Sequence, residues 1–118
     1  MSARLQPPVA FLLLLVVIAI PSPTRAETPE EKLAQLSDEF WQGYLQANPT
    51  RATSLGDKRY DDRLDDITPR GIAKEKKRLE DVLARARAID EGALPPKDRL
   101  TRAALVTEVE DNLAWTDC

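Results

Sequence analysis

The stretch "ETPEEKLAQLSDEFWQGYLQANP", from Glu27 to Pro49, decides the fold class of this chain. Thr28 followed three residues later by Glu31 is the signature of a helix N-terminus, and the proline between them sits in the first turn, where its missing N–H costs nothing. Asn48 before Pro49 ends the pattern. Between these ends the apolar residues recur at intervals of three and four, which predicts an amphipathic helix. Its expected core face consists of Leu33, Leu36, Phe40 and Tyr44, widened by Trp41 and Leu45.

A second helical pattern runs from Ile67 to Gly92. It opens with another Thr-Pro pair at Thr68, and Gly92 is the expected left-handed stop. The predicted apolar stripe consists of Ile72, Leu79, Val82, Leu83, Ala86 and Ile89. On the opposite face, charges four residues apart predict three intrahelical ion pairs: Lys76–Glu80, Lys77–Asp81 and Asp81–Arg85.

A third helical pattern starts after Pro95-Pro96, with Leu105, Val106, Val109 and Leu113 on one side. No segment shows sustained alternation of apolar and polar residues, so no sheet is predicted. The predicted fold class is all-α, with three long amphipathic helices plus a short helix in the connector between the first two. A short turn at residues 90–97 makes the last two helices antiparallel neighbours.

The chain opens with the features of a secretory signal peptide. An apolar run without charge extends from Val9 to Ile20, and Thr24 and Ala26 occupy the −3 and −1 positions of a small-residue cleavage site. The run is shorter than the ~20 residues that a membrane-spanning helix needs. We therefore expect cleavage between Ala26 and Glu27, export to the periplasm or the extracellular space, and no stable membrane span after processing.

Removal of residues 1–26 takes away Arg4 and Arg25 and no acid, which leaves 15 of the 17 basic residues against 20 acidic ones, a net charge of −5. Such a chain lacks a clustered basic face, so nucleic acid is not an expected partner. The helical period continues to Trp115 without a stop signal before Cys118. We therefore expect residues 27–118 to be the N-terminal helical part of a larger, truncated domain.

The connector between the first two long helices covers residues 48–66. Its "PTRATSLG" segment predicts a brief helix that stops at Gly56. Carboxylates are dense after that point, but the spacing lacks the central glycine and the twelfth-position glutamate of a helix–loop–helix calcium site. The aspartates are Asp57, Asp61, Asp62, Asp65 and Asp66.

No catalytic residue and no metal ligand is assigned from the residues themselves. The chain contains no histidine, its one cysteine is Cys118, and no serine sits in a Gly-x-Ser-x-Gly turn. The sequence therefore lacks the residues for a histidine-ligated zinc site and for nucleophilic acyl transfer.

The connector nevertheless carries an ordered motif, Asn-Pro-Thr, then Ala-Thr-x-Leu-Gly-Asp, then Arg-Tyr-Asp-Asp and a leucine. With this motif, followed by a helix rich in leucine, alanine and charge, the chain resembles the N-terminal part of a family of exported, mostly bacterial proteins known as domain of unknown function 885. The resemblance covers about residues 30–117. The matching residues are Asn48, Pro49, Thr50, Ala52, Thr53, Leu55, Gly56, Asp57, Arg59, Tyr60, Asp61, Asp62 and Leu64.

That family is similar to zinc metallopeptidases, and its members carry a His-Glu-x-x-Pro-Gly-His segment far downstream of the region seen here. The resemblance implies a zinc-metallopeptidase-like parent, with zinc held outside this chain and no cofactor within it. The implied partners are the remainder of the parent chain and, in the parent, a peptide substrate. The connector would line or cover a substrate cleft, or support the catalytic helices.

A different class of function stays open at this point. The chain can also be a small secreted or periplasmic helical module for binding or scaffolding, complete as it stands. Such a module would need its exposed aromatic side chains covered by a partner or by self-association.

Overall fold

The computed structural model describes residues 3–4, 16–23 and 25–118. Residues 9–15 and Thr24, on which part of the signal-peptide prediction rests, lie outside the described residues. Residues 16–23 and 25–28 have no regular secondary structure. None of the described helices combines the length and the apolar character needed to cross a membrane.

The described chain is all-α, as predicted. Three long helices and one short helix are present, and two single 3₁₀ turns lie in the connections. The elements in chain order are α1 (Pro29–Ala47), α2 (Pro49–Ser54), a 3₁₀ turn (Lys58–Tyr60), α3 (Pro69–Ala88), a second 3₁₀ turn (Glu91–Ala93) and α4 (Pro96–Thr116).

The starts of α1 and α3 follow from local sequence. The Thr28 hydroxyl accepts a hydrogen bond from the Glu31 N–H at 3.2 Å, and the Glu31 carboxylate accepts one from the Thr28 N–H at 3.3 Å. This reciprocal pair is the predicted capping box. At the start of α3 the Thr68 hydroxyl accepts from the Gly71 N–H at 3.1 Å. Both predicted N-termini are therefore confirmed.

The predicted stop of α3 at Gly92 is wrong. The helix ends at Ala88, and Gly92 lies in the second 3₁₀ turn without a left-handed backbone. A side chain donates to the last carbonyls at the C-terminal end of α3 instead. Arg102 on α4 donates to the Ile89 oxygen at 3.0 Å and to the Arg87 oxygen at 3.3 Å. A long-range arginine contact thus replaces the expected glycine cap.

The three long helices pack side by side in antiparallel order. Between α3 and α4, Lys76 pairs with Asp117 and Arg87 pairs with Glu110, each at 2.6 Å. Between α1 and α3, Arg85 pairs with Glu39, also at 2.6 Å. The core lies between these helices and consists of Leu33, Leu36, Phe40, Leu79, Val82, Ala86, Ile89, Leu94, Leu105 and Val109.

Several details of the predicted faces differ from the structure. Trp41, expected to widen the core face of α1, is 45% exposed, and Tyr44, expected on that face, is only partly buried and lies outside the core. Ile72, expected in the stripe of α3, lies near the start of the helix and is 41% exposed, because α3 begins beyond the edge of the core. Leu94, in the turn before α4, was not expected in the core and is 2% exposed. Of the three predicted ion pairs along α3, Asp81–Arg85 forms at 3.4 Å, whereas Lys76 pairs across to α4.

Candidate functional site

The connector folds back along α2 after a sharp reversal. Gly56 makes this reversal possible, since its φ of 88° is a conformation that other residues rarely adopt. Beyond the 3₁₀ turn, the Asp61 carboxylate accepts a hydrogen bond from the Thr53 hydroxyl at 2.7 Å. Further on, Asp65 contacts Thr50. Contacts from successive aspartates to earlier threonines show that the returning segment runs antiparallel to α2.

Asp65 supplies the N-terminal cap that α2 lacks locally. Asn48, at the usual capping position, makes no side-chain cap and instead donates its amide to the Tyr44 carbonyl at 2.9 Å. The two oxygens of Asp65 accept from the Thr50 N–H at 3.1 Å and from the Thr50 hydroxyl at 2.9 Å. A carboxylate distant in sequence therefore satisfies a free donor of the helix and lies at its positive end.

Asp57 and Arg59 hold the 3₁₀ turn against α1. The Asp57 carboxylate caps the turn by accepting from the Arg59 N–H at 3.0 Å, and it also accepts from the Arg59 guanidinium at 2.7 Å. The same guanidinium donates to the Gln42 side-chain oxygen on α1 at 2.9 Å. Hydrogen bonding to the guanidinium lowers the pKa of Asp57 below its ordinary value, and the same contact raises the pKa of Arg59.

Asp66 connects the end of the connector to the start of α3. Its carboxylate accepts from the Thr68 hydroxyl at 2.6 Å and from the Thr68 N–H at 3.0 Å. The hydroxyl contact is the main cause that lowers the pKa of Asp66, and the backbone N–H adds to it. Because Thr68 is itself the cap of α3, Asp66 orients the cap as well as the chain.

The predicted motif residues thus come together in one compact substructure. Tyr60 is partly buried, with the guanidiniums of Arg59 and Arg63 over its ring at 5.3 and 5.7 Å from the centroid. Pro49 is buried in the first turn of α2. Asp62 is exposed and makes no hydrogen bond or ion pair with the rest of the described chain. Apart from Asp62, each aspartate of the connector contacts a named donor of the chain itself.

A polar groove lies beside this substructure, between α1 and α3, and we call it the α1–α3 groove. Its volume is about 680 Å³, and Arg59 and Tyr60 close one end. Gly43 allows the guanidinium of Arg78 to lie against α1, because a Cβ at that position would collide with it. Its principal polar lining residues are Gln35, Asp38, Glu39, Gln42, Gln46, Arg59, Arg78, Asp81 and Arg85.

Every guanidinium in the α1–α3 groove has a carboxylate partner. Arg78 makes a two-bond contact with Glu75 at 2.6 and 2.8 Å and lies over the Phe40 ring at 5.9 Å. Arg85 pairs with Glu39 and with Asp81. Three guanidiniums and three carboxylates line the groove, so its formal charge is zero. This groove was not predicted from the sequence, although the spacing of Gln35, Gln42 and Gln46 places all three on one face of α1.

The zinc implied by the family resemblance does not fit the donors of this chain. The sequence has no histidine, and four of the five connector carboxylates already accept hydrogen bonds from the chain's own backbone, hydroxyls or guanidinium. Within residues 3–4, 16–23 and 25–118, no group of three or more metal-ligating side chains is arranged around a common point. No catalytic step through a metal is therefore derived for these residues.

Comparison with known proteins places the chain in a family. A family model described as "Bacterial protein of unknown function (DUF885)" matches residues 49–117. The chain belongs to this family. The match begins at the first residue of α2 and takes in the connector, α3 and α4. Neither a curated protein nor a solved structure matches the chain.

Proposed function

We propose that this DUF885 chain is the N-terminal helical part of an exported zinc-metallopeptidase-like protein, and that its own role is structural rather than catalytic. The hydrolytic site would lie in the remainder of the parent chain, which would hold the zinc. Residues 1–26 would direct export and be removed. Family membership supports the proposal, together with the resemblance of that family to zinc metallopeptidases.

The observation that carries the structural role is the use of the connector carboxylates. Asp65 caps α2, Asp57 holds the 3₁₀ turn, and Asp66 orients the cap of α3. A carboxylate that serves as general base or metal ligand needs free lone pairs directed at substrate or metal. Each of these three carboxylates accepts at least two hydrogen bonds from donors of the same chain, which fixes the path of the connector and leaves only part of the lone pairs for a substrate or a metal.

Exposed apolar side chains agree with a role inside a larger protein. Leu64 and Ile67, beside the connector aspartates, are 85% and 81% exposed, and Trp115 on α4 is 78% exposed. Covering such surface is favourable by about 25 cal/mol per Å². In the proposed parent, these side chains would pack against the catalytic part.

The coding sequence downstream of the Cys118 codon tests this proposal. We expect the reading frame to continue and to encode a His-Glu-x-x-Pro-Gly-His segment. In the parent protein, substitution of either histidine should abolish zinc-dependent peptide hydrolysis, whereas Asp62→Ala in the present region should leave it unchanged. A stop codon directly after Cys118 would refute the proposal and favour the self-contained binding or scaffold module.

A further inference from the structure

We draw no further inference here: the strongest candidate, the open α1–α3 groove of about 680 Å³ beside the first 3₁₀ turn, carries none, because nothing in the structure shows what would occupy it.

Discussion

At the scale of single residues, the connector aspartates form two groups. Asp57, Asp61, Asp65 and Asp66 contact donors of the chain itself, whereas Asp62 contacts none of them among the described residues. The sequence presents all five as equivalent acidic residues in one short segment. Their different surroundings allow matched substitutions in which Asp62 serves as the control.

Substitution of Asp65 tests the long-range cap of α2. Asp65→Ala should lower the free energy of unfolding by about 1 kcal/mol, the usual effect of losing an N-terminal cap. Asp62→Ala removes the same chemical group from a solvated position and should change it by less than about 0.5 kcal/mol. Urea unfolding followed by circular dichroism measures both. Equal effects of the two substitutions would show that the contacts of Asp65 with Thr50 add nothing to stability.

The contacts of Asp66 should make the free energy of unfolding depend on pH in the acid range. Its pKa is lowered in the folded state, chiefly by the Thr68 hydroxyl, so the ionised form stabilises the fold above the ordinary aspartate pKa of about 3.9. That contribution is lost as the pH falls through the lower folded pKa. Asp66→Asn should therefore flatten the decline of unfolding free energy below about pH 4. Urea titrations at successive pH values measure this free energy. If it declined equally steeply below about pH 4 in Asp66→Asn and in the unchanged chain, the prediction would be wrong.

At the scale of the helices, two adjacent aromatic residues of α1 differ in burial. Phe40 is 8% exposed within the core, whereas Trp41 is 45% exposed and stacks on Tyr44 at 5.6 Å between ring centroids. Phe40→Ala should cost ~3 kcal/mol or more, because it leaves a cavity among packed side chains. Trp41→Ala should cost clearly less. Chemical denaturation of both variants tests the assignment, and a larger loss for Trp41→Ala would reverse it.

Local sequence was sufficient to predict the helices and their starts. The capping box of Thr28 with Glu31 and the cap at Thr68 involve residues three apart, so they can be read directly from the chain. The apolar stripes also follow from local spacing, and the core includes most of their members. Helix class and the positions of the N-termini are therefore local properties here.

Contacts between distant segments were beyond local prediction. The cap of α2 comes from Asp65, fifteen residues after Thr50, and the end of α3 is satisfied by Arg102 rather than by Gly92. Both contacts depend on how the chain folds back on itself. The spacing of apolar residues along a helix carries no information about such contacts. The α1–α3 groove could not be predicted for the same reason, since half of its lining comes from α3 and the first 3₁₀ turn rather than from α1.

At the scale of the whole molecule, the proposed export makes a direct prediction about the N-terminus. An exported preparation should begin at Glu27, because an apolar run without charge is followed by a Thr24-x-Ala26 cleavage site. N-terminal sequencing or intact-mass measurement gives the answer. Ala26→Leu, which places a large residue at the −1 position, should prevent processing and provides the control. Exported protein that retains Met1 would contradict the prediction.

We propose that these residues support a hydrolytic site of the parent protein without forming one themselves. Catalytic zinc sites hold the metal by three protein ligands, commonly histidine, and this chain has no histidine. The most direct measurement is hydrolysis of a fluorogenic peptide library by the purified chain, with added zinc and with a chelator. We expect a rate equal to that of buffer under both conditions. Hydrolysis that co-purifies with the chain, requires zinc and disappears on chelation would contradict it.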